Sequence, residues 1–467
     1  MNSMTTALRR RDFLFSSATL TLGRGLRAQT TGRPSVQPNI IFILADDLGA
    51  FDLGCYGQKK IKTPNIDKLA EEGMLFTQFY AGATVCAPSR SCLMTGQHTG
   101  HTTVRANSST RTGGRVALKT DDFTLPEMLK GPEWRDAYDE SRAYVTGMFG
   151  KWGLGEPGST GLPNDKGFDE WFGFLNQQHA HNHYPEYLWR NRHKEVLQGN
   201  LGGQHREYAC DLFTREALYF IDRHRYERFF LYLPYTVPHQ HLEAPSLEPY
   251  TKQDWPLPEK TYAAMVTRLD TYVGQIIRKL KETDLDSRTL VFFSSDNGLA
   301  YNFPMFDDTG GLRSEKGQVY EGGIRVPMIV RWPGKIKAGS KCDLPFAFWD
   351  ILPTIADVAG VRYIPPLCDG ISFLPTLLGK PQKQQDRILY WESHEARSMA
   401  QAVRMGNWKA VRHGLDGKLE LYDLSRDPGE TRDVASANPQ VVKKIEEYLN
   451  EARTDSPDYP VPRPPRF

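Results

Sequence analysis

Four apolar runs along the chain predict strands that are buried on both faces of one sheet. They occupy residues 39–45, 143–149, 229–233 and 289–295. Antiparallel strands with one solvated face alternate apolar and polar residues, whereas parallel strands covered by helices are nearly continuous apolar runs. Apolar positions at helical spacing over residues 262–280 add a long amphipathic helix. The pattern therefore predicts an α/β fold with a large, mostly parallel sheet sandwiched by helices.

The C-terminal part of the chain has a different pattern, which begins after a polar stretch at residues 380–386. Beyond it we expect four short strands and one last helix; the strand segments are 388–391, 400–405, 408–412 and 420–423, and the helix spans 439–452. Short strands at close spacing are typical of an antiparallel sheet. We therefore predict a main domain over residues 29–384 and a smaller subdomain over residues 385–467, with one helix packed on an antiparallel sheet.

Residues 1–28 have the composition of an export signal. Three arginines, Arg9–Arg11, precede a modestly apolar segment, and Ala28 offers a cleavage position, as in twin-arginine signals of exported bacterial proteins. These residues carry a net charge of +4, so their removal lowers the formal charge of the chain from +2 to −2. A nearly neutral mature chain does not favour nucleic-acid binding, and the sequence contains no apolar run of membrane-spanning length.

Residues 86–96 read Cys-Ala-Pro-Ser-Arg-Ser-Cys-Leu-Met-Thr-Gly and predict a short helix. Pro88 suits its first turn, and Gly96 suits the left-handed residue that ends it. Cys86 then lies just before a helix N-terminus, where free N–H groups favour an anion, and Arg90 lies one turn further on. A sulfur atom there is expected to be chemically active, but free cysteines are also often simply buried. This stretch alone leaves both interpretations open.

Acidic and amide side chains follow two of the predicted buried strands. Asp46 and Asp47 come directly after the first strand, and Asp296 and Asn297 directly after the fourth. Open α/β sheets bind ligands outside the carboxyl ends of their strands. Adjacent carboxylates repel each other and favour a bound cation, and oxygen ligands suit a hard ion such as Ca²⁺. For each pair taken separately, an ordinary turn or helix cap is the alternative.

Two further strand ends and one loop carry candidate ligand-binding side chains. Lys151 lies between glycines after the second strand, and His239 follows the third. Glycines allow the backbone to approach a ligand closely, and a histidine beside an anionic group has a raised pKa, which suits a general acid. His179 and His181 lie in a polar and aromatic segment that we interpret as a sugar-recognition loop. A solvated surface loop is the alternative interpretation.

The stretch Cys-x-Pro-Ser-Arg, followed by a short helix and Thr-Gly, resembles the signature of the type I sulfatases, a family of the alkaline-phosphatase superfamily. Further matches cover most of residues 38–440. The resemblance implies an alkaline-phosphatase-like fold and a sulfuric ester hydrolase. It also implies that a separate maturation enzyme oxidises Cys86 to formylglycine, which hydrates to become the nucleophile, and that the site holds one calcium ion. The implied metal ligands are Asp46, Asp47, Asp296, Asn297 and the oxidised residue 86.

The same resemblance implies a role for each of the other candidate residues. Lys151 and Lys316 neutralise the charge of the sulfate, Arg90 holds the oxygens of residue 86, and His239 protonates the departing alcohol. The implied substrate is a sulfated carbohydrate. Histidine-rich segments of this kind occur in sulfatases that act on galacto-configured sugars, so His179 and His181 are expected to contact the substrate.

One departure from the family pattern keeps other functions open. Gly153 stands where the family motif Gly-Lys-Trp-His-Leu-Gly has a histidine, so another histidine, or the helix dipole and the metal, must replace it. The alternatives are a phosphodiesterase or phosphonate hydrolase on the same scaffold, and a catalytically inactive glycan-binding protein. Whether Cys342 and Cys368 pair is also open, because spacing does not determine pairing.

Overall fold

The computed structural model describes residues 37–131, 143–361, 364–384, 387–395 and 399–461, and every structural statement below concerns these residues. The predicted export signal at residues 1–28 lies outside them. No helix in this part of the chain is both long and apolar enough to cross a membrane.

The main sheet has eleven strands in the order β10-β2-β9-β8-β1-β7-β3-β4-β5-β6, and β11 pairs with β2. The strands are β1 Asn39–Ala45, β2 Met74–Tyr80, β3 Val145–Lys151, β4 Glu170–Phe174, β5 Tyr187–Arg190, β6 His193–Val196, β7 Phe229–Pro234, β8 Thr289–Ser295, β9 Arg325–Arg331, β10 Ser340–Cys342 and β11 Phe346–Ala347. The five central strands from β8 to β4 are parallel, and antiparallel pairs occur at β9, β5 and β6. The predicted mostly parallel sheet is confirmed.

The central position of β1 explains why its sequence is apolar throughout. It pairs with β7 on one side and β8 on the other, and its successive side chains enter the cores on opposite faces of the sheet. Ile41 and Ile43 belong to one core, and Ile40 and Phe42 to the other. The register also aligns the carboxyl ends of the three strands, so that the residues which follow them emerge at one edge.

Helices cover both faces of this sheet, as predicted. They are α1 Pro64–Glu71, α2 Cys86–Thr95, α3 Leu125–Leu129, α4 Ala209–Arg223, α5 Leu257–Glu282, α6 Glu321–Ile324, α7 Ile351–Ala359, α8 Leu374–Leu377 and α9 Pro439–Leu449. Side chains of α1, α4 and α5 contribute to one core, and those of α2, α3 and α7 to the other. The periodic apolar positions predicted for residues 262–280 lie on α5, which packs against α4 and α1.

The second sheet consists of four antiparallel strands in sequence order, which confirms the expected C-terminal architecture. The strands are β12 Ile388–Ser393, β13 Ala400–Met405, β14 Trp408–His413 and β15 Glu420–Asp423. Ile445 and Leu449 of α9 pack against Val403 and Leu421 on one face of this sheet. The division of the chain at residue 385 stays a prediction.

All six cysteines are free thiols, so Cys342 and Cys368 do not form a disulfide.

Candidate active site

Helix α2 places Cys86 at the carboxyl edge of the main sheet. The helix begins at Cys86 itself, after Val85 in extended conformation, and ends at Gly96 with φ of +70°. The expected glycine stop is confirmed, but Cys86 is the first helical residue and does not precede the helix. It is buried, with 1% of its surface exposed.

Carboxylate and ammonium groups from two strands surround the Cys86 sulfur. Asp46 Oδ1 lies 3.4 Å from Sγ, and Lys151 Nζ lies 3.3 Å from it. Burial raises the pKa of the Cys86 thiol to about 12; Asp46 adds to the effect, and Lys151 and Lys316 oppose it. The unmodified thiol is therefore protonated at neutral pH, and the expectation of an active sulfur is wrong for plain cysteine, because lost solvation outweighs the helix dipole.

The four predicted oxygen ligands meet across the ends of β1 and β8. The Asp47 N–H donates to Asp296 Oδ1 at 3.2 Å, and Asn297 Nδ2 donates to Asp47 Oδ1 at 2.8 Å. Asn297 Oδ1 is buried and has no hydrogen-bond partner among the described residues. Asp47 has φ of +69°, a left-handed conformation that costs a non-glycine residue free energy and is frequent at functional sites.

Three cations neutralise these carboxylates. Lys151 Nζ lies 2.6 Å from Asp46 Oδ2, Arg90 Nη2 lies 2.7 Å from Asp296 Oδ2, and Lys316 Nζ lies 2.7 Å from Asp47 Oδ2. The Arg90 guanidinium also donates to the Lys151 carbonyl at 2.6 Å. Arg90 therefore holds the carboxylate and the backbone beside residue 86.

The network holds two of the carboxylates at different pKa values. Burial would raise the pKa of Asp46, but the charges of Lys151, His239 and Arg90 outweigh it and keep this pKa well below its ordinary value. For Asp296, burial and the neighbouring Asp46 charge raise the pKa to about 6, against the opposing effect of Arg90. Both carboxylates are therefore mainly ionised at neutral pH, and their mutual repulsion favours a bound cation.

His239 presents one ring nitrogen to this cluster. Its Nδ1 donates to the Gln240 carbonyl at 2.8 Å, and its Nε2 lies 3.5 Å from Asp47 Oδ2. Burial lowers the pKa of His239 to about 4, and the attraction of Asp46 offsets only part of this effect. The expected raised pKa is therefore wrong for this environment, because the lost solvation outweighs the nearby carboxylates.

The structure separates the two histidines of the predicted sugar loop. The His181 ring lies 4.8 Å from the His239 ring, at the mouth of the charged cluster. The His179 ring packs 4.4 Å from Tyr187 and 4.9 Å from Phe174, on the other side of the turn. Sequence reasoning gave no role to His183, which is buried and donates from Nε2 to the His239 carbonyl at 3.1 Å. In the sequence, the alternation of histidines at positions 179, 181 and 183 was the only pattern that pointed to His183.

A residue with a side chain at position 153, such as the histidine of the family motif, would have to displace the end of the Gln177 side chain. Gly153 has φ of +89°, and a Cβ atom there would lie 2.6 Å from Gln177 Nε2. Gln177 Nε2 donates to the Gly153 carbonyl at 3.2 Å and so fills this space. Gln177 was missed by sequence reasoning, since only folding brings it beside residue 153.

The charged cluster suits a hard divalent cation. Donor atoms of Asp46, Asp47, Cys86 and His239 lie within 4.8 Å of one another. Asp296 and Asn297 contact Asp47 from the neighbouring strand end, and the unpartnered Asn297 Oδ1 is an additional oxygen donor. Buried carboxylate and amide oxygens at this density match the ligands of Ca²⁺.

A second group of potential ligand atoms, from His98, His101 and Asp369, has a different character. His101 Nδ1 lies 2.9 and 3.0 Å from the two Asp369 oxygens. His98 Nδ1 accepts the Gly100 N–H at 3.1 Å, and burial lowers the pKa of His98 to about 4. The neutral ring therefore carries its hydrogen on Nε2 and cannot offer that nitrogen to a metal. This group is a hydrogen-bonded cluster.

Comparison with known proteins identifies close matches over most of the chain. The family model described as Sulfatase matches residues 38–361, and the model described as N-sulphoglucosamine sulphohydrolase, C-terminal, matches residues 313–455. The chain is 31% identical to arylsulfatase A of Homo sapiens, with 94% of this chain and 91% of that protein covered. It is 28% identical to an N-acetylgalactosamine-6-O-sulfatase of Bacteroides thetaiotaomicron, with 91% and 94% covered.

Solved structures include one similar protein with a bound saccharide. The crystal structure of Ps i-CgsB in complex with k-i-k-neocarrahexaose has a TM-score of 0.78 and 30% sequence identity to this chain. The match covers 91% of this chain and 95% of that one.

Proposed function

This chain belongs to the sulfatase family, and we propose that it releases sulfate from galacto-configured saccharides by means of formylglycine at residue 86 and one calcium ion. Family membership and the named relatives make it a sulfuric ester hydrolase that acts on sulfated sugars. The nucleophile, the metal and the sugar configuration are the parts proposed. The observation that supports the proposed metal and nucleophile is the buried, unpartnered Asn297 Oδ1 inside a cluster of carboxylates beside Cys86.

The proposed calcium ligands are Asp46, Asp47, Asp296, Asn297 and the oxidised residue 86. The three carboxylates are matched by three buried or half-buried cations, so the cluster alone is close to neutral; those cations are Arg90, Lys151 and Lys316. A divalent ion then gives the site an excess of about two positive charges. This excess favours the binding of an anionic ester.

Each remaining side chain has a proposed task in the reaction. When present, formylglycine supplies the nucleophilic oxygen and calcium supplies positive charge at the sulfate. Lys151 and Lys316 hold the sulfate oxygens, and Arg90 keeps Asp296 and the backbone of Lys151 in place. Because these charges are buried, they act in a medium of low dielectric constant, where preorganised contacts have their largest effect.

His239 is the proposed proton donor to the departing alcohol. Its Nδ1 hydrogen is committed to the Gln240 carbonyl, so Nε2 is the nitrogen that gains and gives the proton. The pKa of about 4 leaves this ring neutral at pH 7, and an anionic sulfate ester beside it would raise that pKa. Protonation of His239 is therefore coupled to substrate binding in this proposal.

The proposed sugar preference rests on the loop beside the charged cluster. His181 lies against His239 at the mouth of the site, and His179 lies on Tyr187 further out. Rings and amide groups of this kind suit sugar faces and hydroxyl groups. The N-acetylgalactosamine-6-O-sulfatase and the neocarrahexaose complex support a galacto-configured substrate.

A comparison of two cysteines in the same helix tests the nucleophile. The protein should be expressed with and without a formylglycine-generating enzyme, and the mass of the peptide that contains residue 86 measured. Oxidised protein is expected to release sulfate from sulfated galactosides, whereas Cys86→Ala releases none. Cys92→Ala, which removes another buried sulfur of α2, is expected to remain active.

Two results would overturn the proposal. An unmodified thiol after co-expression, together with saccharide binding, would indicate a glycan-binding protein. Hydrolysis of phosphodiesters or phosphonates in the absence of sulfate release would indicate the alternative hydrolase.

We also propose that the mature protein works outside the cytoplasm. The support is the twin-arginine pattern at Arg9–Arg11 and the apolar segment that follows. Replacement of Arg9 and Arg10 by Lys is expected to leave the protein in the cytoplasmic fraction. Equal export of this variant and the native chain would contradict the assignment.

A further inference from the structure

A cavity lies where the edge of the main sheet meets the C-terminal sheet. It has a volume of about 470 Å³ and is lined by side chains of β2, the β10–β11 link, the β13–β14 turn and α9. Among the lining residues are Gln78, Arg404, Asn407, Trp408 and Lys444. Its size is in the range of small-ligand sites.

Strand β12 separates this cavity from the candidate active site. Ser393, at the carboxyl end of β12, hydrogen-bonds Thr84 Oγ1 at 3.0 Å, beside the start of α2. Leu389, near the other end of the strand, lines the cavity. Four strand residues at about 3.3 Å each put the two ends about 13 Å apart. The cavity is therefore distinct from the sulfate site, and the buried strand β12 lies between the two.

The rim of the cavity offers polar groups without protein partners. Among the described residues, neither the Trp408 indole N–H, nor the Asn407 amide, nor the Lys444 ammonium has a hydrogen-bond or ion-pair partner, although Trp408 is half-buried. An aromatic ring with adjacent amide donors suits a sugar face and its hydroxyl groups. A ligand in the cavity can therefore contact these three side chains without displacing a hydrogen bond or ion pair among the described residues.

The charge of the lining is positive. Arg404 hydrogen-bonds the Tyr80 hydroxyl, Gln78 and the Gly406 carbonyl, and its charge also acts on the buried carboxylate of Glu321. Arg387 is neutralised by Asp350, and Asp343 is the acidic residue of the lining. With Lys444 unpaired, the cavity carries an excess of positive charge, which favours an anionic ligand.

We propose that this cavity is a second saccharide-binding site, which takes a sulfated segment of a saccharide polymer. This inference rests on the proposed function, because it assigns the same substrate class to both sites. The Trp408 ring receives a sugar face, Asn407 bonds its hydroxyl groups, and Lys444 and Arg404 attract its sulfate. A monosaccharide would use the active site alone.

A pair of neighbouring lysines on α9 supplies the test and its control. Lys444→Glu reverses a charge in the cavity, whereas Lys443→Glu makes the same change at a residue that does not line it. Binding should be measured with Cys86→Ala protein by affinity electrophoresis in carrageenan, chondroitin sulfate and dextran sulfate. We expect Lys444→Glu to weaken retention about fivefold or more in at least one polymer, and Lys443→Glu to match the parent.

A second variant and a second substrate separate this inference from the proposed function. Trp408→Ala should weaken the same retention, Trp408→Phe should keep most of it, and thermal unfolding of each variant checks the fold. Sulfate release from a sulfated monosaccharide by the matured enzyme should be unchanged in Lys444→Glu. If Lys444→Glu and Lys443→Glu are retained equally in every polymer, the second site is overturned. If the matured parent enzyme releases no sulfate from the monosaccharide, the proposed function is overturned instead.

Discussion

Two clusters of buried charges in this protein differ in how completely their polar atoms are satisfied. The seam cluster is centred on Glu392, which is fully buried; Oε1 contacts Arg105 at 3.2 Å and His394 at 3.0 Å, and Oε2 contacts Tyr390 at 2.8 Å and Arg453 at 2.9 Å. The edge cluster is buried except for the half-buried Lys316, but it leaves Asn297 Oδ1 without a partner and holds Asp47 at φ of +69°. Its members are Asp46, Asp47, Asp296, Asn297, Arg90, Lys151 and Lys316.

The difference teaches that buried charge by itself does not indicate a catalytic site. Glu392 lies near the end of β12 and His394 directly follows that strand, much as Asp46 follows β1. The partners of Glu392 satisfy both of its carboxylate oxygens, so the seam cluster has no capacity left for a ligand. An unsatisfied acceptor, Asn297 Oδ1, and the left-handed backbone of Asp47 are the features that separate the edge cluster from it.

The largest expected effect comes from removing one charge of the edge cluster. Asp46→Asn keeps the shape of the side chain but removes a proposed calcium ligand and the partner of Lys151. We expect sulfate release to fall about 10³-fold or more, and the stabilisation of the protein by added calcium in thermal unfolding to disappear. The matched variant Glu392→Gln should keep both its sulfate release and its stabilisation by calcium. Loss of the calcium response in Glu392→Gln would contradict this contrast between the two clusters.

The second effect should appear in stability and not in catalysis. Glu392→Ala leaves Arg105 buried without its carboxylate partner and leaves Arg453 with Asp455 alone. Breaking a buried ion pair in this way costs about 3–5 kcal/mol of the free energy of unfolding. Urea unfolding measures this loss, and sulfate release per folded molecule should change little. A variant of normal stability with a low turnover would show that the seam cluster takes part in the reaction.

The third prediction concerns the departure at Gly153. Gly153→His should lower stability by about 1–3 kcal/mol, because φ of +89° strains a residue with a Cβ atom. The Gln177 contact adds to this loss. Gly158→His is the control, since Gly158 has φ of +90° and nothing within 4 Å of its Cβ position. A Gly153→His protein of native stability and higher activity would contradict our account of this position.

The last expected effect is confined to the pH dependence of stability and comes from a buried carboxyl group with no cation beside it. Burial raises the pKa of Asp52 to about 8; Asp308 adds to this effect, and the hydrogen bond from Tyr262 opposes it. The folded protein therefore keeps a proton that the unfolded chain releases near pH 4. The stability contributed by this group is complete below pH 4 and is lost as the pH rises toward 8.

Asp52→Asn removes that titration. Between pH 5 and 8, the free energy of unfolding of Asp52→Asn should fall less steeply than that of the native protein. The difference between the two slopes should be up to about 1.4 kcal/mol per pH unit. Urea unfolding at three pH values measures this slope, with the exposed Asp254→Asn as control. Parallel slopes for all three proteins would show that Asp52 is ionised in the folded state.

The sequence predicted the strands that carry the site better than it predicted their surroundings. The runs at 39–45 and 289–295 coincide with β1 and β8, because a strand buried on both faces has a simple apolar pattern. No prediction was made for β2, whose apolar run is interrupted by Thr77 and Gln78 where its register shifts. The strand order was also beyond the sequence, since it depends on pairing between distant segments.

The same limit applies to the individual side chains of the site. His179 and His181 looked equivalent in the sequence, but the turn between them directs one toward Tyr187 and the other toward His239. Similarly, the thiol of Cys86 and the ring of His239 have pKa values opposite in direction to those expected from their neighbours along the chain. Burial produced both differences, and burial is a property of the folded molecule.

What the chain alone determined is the set of residue types at strand ends and helix starts, because backbone geometry there depends on near neighbours. What only the tertiary structure decided is which of those groups touch, which are desolvated and which stay unsatisfied. Asp47 and Asp296 are 249 positions apart in the sequence and are joined by a single hydrogen bond across the sheet edge. Electrostatic interactions fall off over a few ångströms, so such contacts exist only once the sheet has formed.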